Sequence, residues 1–243
     1  MITHLLSRLS TASYSELLHL LQHDLAQHQK FSPWLTLNAS ILSQADAAML
    51  AWFTQARVCL ADGIGVVALA RRYRYIRPRR TGIHLAEIIC ASGLPVYCLG
   101  SRPAVIHQAV TRLKNQYPEF NCIGYQPGYH INWETLIRVL SEQPAIVLVG
   151  MGFPLQDTVL QTLVKTLPYG IGIGIGGAFD VLSGTLKRAP TWIQTCGCEW
   201  LYRAIQEPHR IKQWGHLVRF MRFFYQPKTA QAQYPDKIEL VAK

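Results

Sequence analysis

Residues 145–178, AIVLVGMGFPLQDTVLQTLVKTLPYGIGIGIGGA, decide the fold. Two short apolar runs, Ile146–Val149 and Ile171–Ile175, have the length and composition of buried strands, and Gln156–Leu167 between them has helical periodicity. A strand, a helix and a second strand in this order form one unit of a parallel sheet, in which the helix covers a face of the sheet. The stretch therefore predicts an α/β protein.

The same alternation extends outward over the chain from about residue 33. Four further apolar runs predict strands at Trp34–Leu37, Val58–Leu60, Pro95–Leu99 and Cys122–Tyr125. Helical patterns separate them, at Ile41–Thr54, Ala104–Gln116 and Trp133–Leu140. We expect a Rossmann-like, mostly parallel sheet flanked by helices over residues 1–195, followed by a small, basic, helical appendage over residues 196–243.

Small and polar residues follow the predicted strands at their carboxyl ends. Ligands of open α/β sheets bind at that edge, and glycine N–H groups and helix N-termini can hold a phosphate there. The pattern predicts a nucleotide-type ligand. The residues are Thr36 and Asn38, Asp62 and Gly63, Gly100 and Ser101, Gly152, and Gly176 and Gly177.

One glycine motif suggests a different ligand. Gly172, Gly174 and Gly177 match the spacing GxGxxG, which in nicotinamide-dependent oxidoreductases follows a strand and opens a long helix. Here the glycines alternate with isoleucine inside the predicted strand, and at most a short helix follows before Gly184. A dinucleotide site is therefore an alternative with weaker support.

The composition fits a globular protein with a large core. Of 243 residues, 49% are hydrophobic and 16% charged, which excludes a disordered chain. The longest apolar runs are too short to span a bilayer, and the N-terminus lacks the pattern of a signal peptide, so we expect a cytoplasmic protein. The six cysteines have no zinc-site spacing, which predicts free thiols and no metal.

The net charge of +10 is concentrated in two regions. Six arginines lie between Arg71 and Arg80, and a second basic group lies in the last fifth of the chain. Such clusters suit phosphates or anionic lipid headgroups, although a solvated basic face is the simpler explanation for residues 71–80. A nucleic-acid partner is not expected, because the cluster lacks the interleaved aromatic platform of single-strand binders.

The last predicted helix is amphipathic. Apolar side chains recur at helical spacing and would form a stripe, while His216, Arg219 and Arg222 lie off it. The helix can lie in an anionic membrane interface, or it can pack on its own domain or on a second copy of the chain in a homo-oligomer. The stripe consists of Trp214, Leu217, Val218, Met221, Phe224 and Tyr225.

Several phrases of the sequence resemble the WecG/TagA/CpsF family of bacterial glycosyltransferases. The longest covers residues 174–210, GIGGAFDVLSGTLKRAPTWIQTCGCEWLYRAIQEPHR. The others, in the family's order, are LTLNASIL (35–42), ADGIGVV (61–67), LGSRPAVI (99–106), YPEF (117–120), GYQPGYH (124–130) and VGMGFPLQD (149–157). The resemblance covers roughly residues 33–212.

The resemblance implies an inverting transferase. Its donor would be a UDP-sugar of the N-acetylmannosamine type, and its acceptor a polyprenyl-diphosphate-linked amino sugar at the inner face of the bacterial plasma membrane. Its products would feed surface polysaccharides. A basic membrane-binding module without catalysis remains the alternative to both the transferase and the oxidoreductase.

Inversion requires a base for the acceptor hydroxyl and compensation for the charge on the departing diphosphate. Asp62 is the candidate base, although an aspartate there could instead cap the next helix. Because the sequence has no Asp-x-Asp pair for a divalent ion, protein groups must hold the diphosphate. By resemblance Thr36 belongs to the catalytic site, and Asn38, Gln156, Arg203 and Arg210 bind substrate.

Two departures from the family pattern bear on the substrate. Leu155 and Asp157 flank Gln156 where related sequences carry lysine and glutamate. His84 stands where they tend to carry aspartate, and we assign it no catalytic role.

Overall fold

The structure, a computed structural model, describes residues 1–195, 199–206 and 214–225. Its six strands all lie within one or two residues of the predicted bounds. They are β1 (Ser32–Leu37), β2 (Val58–Ala61), β3 (Val96–Gly100), β4 (Cys122–Gln126), β5 (Ile146–Gly150) and β6 (Ile171–Gly174).

Thirteen helices are present in the described residues. They are α1 (Ile2–Ser7), α2 (Tyr14–Ala26), α3 (Ala39–Gln44), α4 (Ala47–Gln55), α5 (Ile64–Arg72), α6 (Gly82–Cys90), α7 (Pro103–Gln116), α8 (Trp133–Glu142), α9 (Leu155–Thr166), α10 (Ala178–Leu182), α11 (Thr191–Thr195), α12 (Glu199–Gln206) and α13 (Trp214–Tyr225).

The strands form a single parallel sheet in the order β2-β1-β6-β5-β3-β4, which confirms the predicted fold class. Their carboxyl ends are level: Leu37 pairs with Ala61, Val149 with Gly174, and Gly100 with Gly150. After β3 the chain continues to β4 on one side, and after β5 it continues to β6 on the other side, so the connections that follow these two neighbouring strands run in opposite directions. A crevice at such a divergence is the usual ligand site of an open α/β sheet.

Helices cover both faces of the sheet. One face packs on α1, α3, α4, α5, α8, α9 and α13, and the other on α2, α6, α7 and α10. Successive strand residues alternate between the two cores, as the strand period of two requires. In β6 the isoleucines Ile171 and Ile173 enter one core, whereas Gly172 and Gly174 face α9 on the other side.

The predicted helix Ile41–Thr54 is in fact two helices, α3 and α4. Asp46 ends the first and starts the second, because its carboxylate accepts a hydrogen bond from the Met49 N–H at 2.8 Å. An aspartate in this position is a strong N-cap and favours an extended backbone over a continuous helix.

Helix α13 packs on α3 and α5 through phenylalanines that do not belong to the predicted stripe. Phe220 and Phe223 are buried, and the Tyr73 hydroxyl donates to the Phe223 carbonyl at 3.1 Å. Of the predicted stripe, three described side chains face outward: Val218 is 74% exposed, and Met221 and Tyr225 are also exposed, whereas Phe224 is half-buried and packs against the core. The helix therefore has a buried apolar face and an exposed one.

None of the described helices combines the length and the hydropathy needed to cross a bilayer. Within the same residues, no three His, Cys, Asp or Glu side chains come together as metal ligands. Cys59, Cys90 and Cys98 are buried free thiols and Cys122 is a half-buried one. Cys196 and Cys198 lie outside the described residues.

Candidate active site

The level carboxyl ends bring the predicted residues to one edge of the sheet. Following the strand order, this edge presents Asp62 after β2, Asn38 after β1, Gly176 after β6, Gly152 after β5 and Ser101 after β3. Acidic and amide groups occupy the half formed by β2 and β1, and glycine turns occupy the half formed by β6, β5 and β3. The edge therefore has two chemically different halves.

Asp62 and Asn38 lie side by side on the first half. The Asp62 N–H donates to the Leu37 carbonyl at 2.8 Å, which holds its backbone beside the end of β1. Gly63, with φ of 106°, is the N-cap of α5, so Asp62 is not the capping residue of that helix. Asn38 does cap its helix: its side-chain oxygen accepts from the Ile41 N–H at 3.0 Å.

Thr36 lies beneath this edge rather than on it. It is buried, and its hydroxyl donates to the Gly174 carbonyl at 2.7 Å, which ties β1 to the end of β6. Gly82 of α6 covers it, since a side chain on that glycine would lie 3.2 Å from the Thr36 methyl group. The threonine thus fixes the relative position of the two halves.

Gln156 is also buried and acts on the glycine turn after β6. Its side-chain oxygen accepts a hydrogen bond from the Gly176 N–H at 2.9 Å. A side chain on Gly174 would lie 3.1 Å from its amide nitrogen. Gln156 thereby orients the Gly176–Gly177 turn and packs on the glycine face of β6.

The crevice between β3 and β5 is built from backbone. A side chain on Gly100 would lie 2.3 Å from the Gly150 carbonyl oxygen, so the strand ends can approach because residue 100 is glycine; a side chain on Gly150 would lie 2.3 Å from the Phe179 ring of α10. Ser101 adopts φ of 55°, and its hydroxyl donates to Asp180 of α10 at 3.1 Å. Gly152 has open space where a side chain would be. A phosphate can approach such backbone N–H groups closely.

The same contacts account for the GxGxxG spacing without a dinucleotide. A side chain on Gly172 would lie 2.5 Å from a Leu160 methyl group of α9. Gly172 and Gly174 are therefore required for helix packing on the sheet, and only Gly176 and Gly177 belong to the strand-end turn. The helix that follows, α10, has five residues, unlike the long helix of a nicotinamide-binding fold.

Asp157 was not predicted as a site residue, and sequence alone gives no sign of its burial. Its carboxylate accepts from the Trp52 indole N–H at 3.2 Å, while its other oxygen is buried without a partner in the described residues. Burial raises the pKa of Asp157 to about 6, and the hydrogen bond from Trp52 acts in the opposite direction. The residue lies behind Gln156, away from the open edge.

The arginine cluster at residues 71–80 divides into two groups. Arg71, Arg72 and Arg74 are exposed, whereas Arg77 is buried and donates to the Ser7 carbonyl at 2.9 Å. Arg80 donates to the Ala12 carbonyl at 3.0 Å and stacks on Tyr14. The cluster is therefore not a continuous solvated face.

A cavity of 440 Å³ lies at the start of α6, and apart from His84 none of its lining residues was singled out by the sequence. Its walls come from distant parts of the chain, which no local pattern reveals. The lining residues are Tyr14, Arg79, Thr81, His84, Glu87, Arg188, Thr191 and Gln194.

The predicted arginines of the appendage stay predictions. Arg203 belongs to α12, but its side chain lies outside the described part of the chain, as does the whole of Arg210.

Comparison with known families assigns the chain. A family model described as glycosyl transferase, WecG/TagA/CpsF family, matches residues 2–234, which is nearly the whole chain and includes every strand of the sheet. The crevice between β3 and β5 and the acidic end of β2 lie within the matched residues. The chain therefore belongs to the WecG/TagA/CpsF family of glycosyltransferases.

Proposed function

We propose that this glycosyltransferase moves an N-acetylmannosamine-type sugar, with inversion, from a UDP-sugar to a polyprenyl-diphosphate-linked amino sugar. The observation that carries the proposal is the division of the carboxyl edge into two halves. A carboxylate, Asp62, lies on the β2–β1 half, and glycine turns with open space at Gly152 and Gly176 lie on the β6–β5–β3 half. An inverting displacement needs a base and a diphosphate site on opposite sides of the reacting carbon.

The reaction follows from that arrangement. The Asp62 carboxylate accepts the proton of the acceptor hydroxyl while the hydroxyl oxygen bonds to the anomeric carbon. The bond from that carbon to the diphosphate oxygen breaks, and UDP departs with the electron pair. Attack from the face opposite UDP inverts the anomeric configuration. Thr36 serves as a positioning residue, because its bond to Gly174 holds β1 and β6 in fixed relation.

Charge on the departing diphosphate requires donors. The N–H groups around Gly100, Gly152 and Gly177 and the start of α9 supply partial positive charge, and Gln156 orients the turn by accepting from the Gly176 N–H. Arg203 and Arg210 are proposed to complete the site with guanidinium groups. The scheme uses protein groups alone and needs no resident cofactor.

We further propose that the protein works at the inner face of the plasma membrane, where such an acceptor resides. The exposed face of α13 supports this placement, since Val218, Met221 and Tyr225 lie outward together with the exposed Arg219 and Arg222. Apolar side chains beside cations are typical of interfacial helices.

Two measurements test the proposal. Titration calorimetry should detect binding of UDP and none of NAD. Mass spectrometry of a panel of UDP-sugars with a short-chain polyprenyl-diphosphate amino sugar should detect one transferred N-acetylhexosamine-type sugar of inverted configuration. Binding of NAD in place of UDP, or transfer with retained configuration, would contradict it.

A further inference from the structure

The turn that follows α5 combines exposed cations with an exposed apolar side chain. Arg71, Arg72 and Arg74 are exposed, and Ile76 is 81% exposed, more than any other large apolar side chain that the structure describes. We name residues 71–76 the basic turn. A single exposed isoleucine is ordinary on a protein surface, but cations around an exposed aliphatic group are the composition of a membrane-interface segment.

The basic turn has a fixed conformation. Tyr75 donates its N–H to the Ala70 carbonyl at 2.9 Å. Arg74 donates its N–H to the Arg71 carbonyl, also at 2.9 Å. Together these hydrogen bonds form the Schellman motif that ends many helices. Ile76 therefore extends into solvent from an ordered backbone.

Arg74 occupies the position of this motif where glycine is usual. Its φ of 69° lies in the left-handed region, which strains any residue that carries a side chain. Within the described residues, the Arg74 guanidinium makes no hydrogen bond and no ion pair. An arginine here costs stability without a compensating contact inside the fold, so its cation is available to a partner outside the chain.

The basic turn lies beside the exposed face of α13. The Tyr73 hydroxyl donates to the Phe223 carbonyl at 3.1 Å, which joins the end of α5 to the last turn of α13. On its outer side α13 exposes Val218, Arg219 and Arg222. The two segments therefore form neighbouring surfaces of the same kind, with aliphatic side chains between arginines.

The charge of both segments has one sign. Residues 63–86 and 214–225 contain no aspartate or glutamate, whereas five exposed arginines lie on the basic turn and α13. An anionic bilayer is complementary to this surface, because its headgroups attract arginine and its interface accepts aliphatic side chains. Nucleic acid would match the arginines but would leave Ile76 and Val218 in water.

We propose that the basic turn is a second membrane contact, which binds anionic headgroups through its arginines and inserts Ile76 among them. The assignment rests on the proposed function, in which the protein works at the inner face of the plasma membrane. Contact through α13 alone would leave the sheet free to rotate about that helix. A second contact limits the rotation and so orients the carboxyl edge of the sheet relative to the bilayer.

Arg71→Gln with Arg74→Gln tests the electrostatic part. The probe is sedimentation of the full-length protein with vesicles of equal parts phosphatidylglycerol and phosphatidylcholine. Each arginine near an anionic surface contributes about fivefold to binding, so this pair should weaken it about tenfold or more. Lys114→Gln with Arg138→Gln, which removes two exposed cations from α7 and α8, is the control of equal net charge and should leave binding unchanged. Equal vesicle binding by the natural protein and the Arg71 and Arg74 variant would overturn the assignment.

Arg74→Gly separates lipid binding from folding. Glycine adopts a φ of 69° without strain, so the variant should unfold at the same urea concentration as the natural protein or at a higher one. Its vesicle binding should nevertheless fall about fivefold. Arg74→Lys keeps the cation and should retain binding. Equal losses of binding in the glycine and lysine variants would contradict an electrostatic contact.

Ile76→Ser tests the apolar part. The side chain is exposed, so stability should not change, while vesicle binding should fall about fivefold or more. Unchanged binding would exclude insertion of the turn.

Failure of this assignment and failure of the proposed function give different results. Vesicle binding that depends on α13 but not on the basic turn would reject the turn alone. Weaker binding of the Arg71 and Arg74 variant to a single-stranded oligonucleotide, with unchanged vesicle binding, would indicate a nucleic-acid surface and overturn the lipid assignment. Absence of UDP binding and of transfer in the natural protein would reject the proposed function instead, and vesicle sedimentation would still decide the contact.

Discussion

At the scale of single residues, a substitution of the candidate base, Asp62, tests the proposed mechanism most directly. Asp62→Asn keeps the shape of the side chain and removes its ability to take a proton. Turnover should fall about 10²- to 10⁴-fold, the usual contribution of a general base, with little change in UDP affinity. Steady-state kinetics and calorimetry measure the two quantities.

Asp46→Asn is the matched control for that variant, because asparagine also caps α4 and the residue is exposed. Its turnover should equal that of the natural protein. Near-normal turnover in Asp62→Asn would exclude Asp62 as the base.

The raised pKa of Asp157 predicts that the stability of the fold depends on pH. Its pKa rises from 3.8 in the unfolded chain to about 6 in the fold, so the native state binds more protons between these values. The contribution of Asp157 to stability is therefore present at low pH and is lost as pH rises from about 4 to above 6. The difference of roughly two pKa units corresponds to about 3 kcal/mol.

Asp157→Asn should remove this dependence while retaining an acceptor for Trp52. Urea unfolding at several pH values between 4 and 7 should show the free energy of unfolding of the natural protein falling, relative to that of the variant, by about 2 kcal/mol, because part of the full effect lies outside this pH range. Parallel curves for the two proteins would show that Asp157 titrates normally in the fold.

At the scale of elements, the approach of β3 to β5 depends on Gly100. Gly100→Ala would place a methyl group 2.3 Å from the Gly150 carbonyl oxygen at φ of 148°, so the crevice must open or distort. We expect a stability loss of about 1–3 kcal/mol and at least about tenfold weaker UDP binding. Chemical denaturation and calorimetry provide both values.

Gly93→Ala is the control that separates the cost of backbone strain from the steric clash at the crevice. Gly93 also has a positive φ, 74°, but a side chain there would meet only the Glu119 carbonyl at 3.9 Å, at the opposite end of β3. This variant should lose stability from backbone strain and retain UDP affinity. Equal loss of affinity in both variants would contradict a specific role for the crevice.

Helix α13 offers a comparison between its two apolar faces. Val218→Asp with Met221→Asp changes exposed positions, so sedimentation with anionic vesicles should decrease about tenfold or more without loss of stability. Phe220→Ala changes the buried face and should cost about 3–5 kcal/mol of stability. Vesicle binding unaffected by the exposed pair would reject α13 as the membrane contact.

The same helix shows what a local pattern leaves undetermined. Val218, Met221 and Tyr225 of the predicted stripe do face outward, but the sequence does not reveal that Phe220 packs against Gly65 of α5. A ring can approach that glycine only because the residue lacks a side chain. Which of two apolar faces is buried depends on the partner surface, and that surface is assembled from other parts of the chain.

At the scale of the whole molecule, donor binding should stabilise the fold. UDP at 100 times its dissociation constant would add about 2.7 kcal/mol, which for a domain of this size raises Tm by roughly 5–10 °C. Thermal unfolding with UDP and with NAD at equal concentration compares the two ligands. An increase with NAD alone would favour the oxidoreductase alternative.

All six strands were predictable because buried parallel strands are short apolar runs bounded by turns, as Ile146–Val149 illustrates. The strand order could not be predicted, since no residue near Leu35 in the sequence specifies that Leu35 pairs with Gly174. The convergence of Asp62, Asn38 and Gly176 followed from their positions after strands. The cavity could not be predicted from the sequence, because its lining residues Tyr14 and Arg188 are far apart in the chain.

The bond between Thr36 and Gly174 has a consequence for biosynthesis. It joins residues 138 positions apart, and β1 lies between β2 and β6 in the sheet. During translation, β1 and β2 leave the ribosome early, but β1 lacks its second neighbour until β6 has emerged. Contacts of such long range slow folding and leave strand edges open in the nascent chain. The sheet can therefore close only late in synthesis, once β6 has emerged.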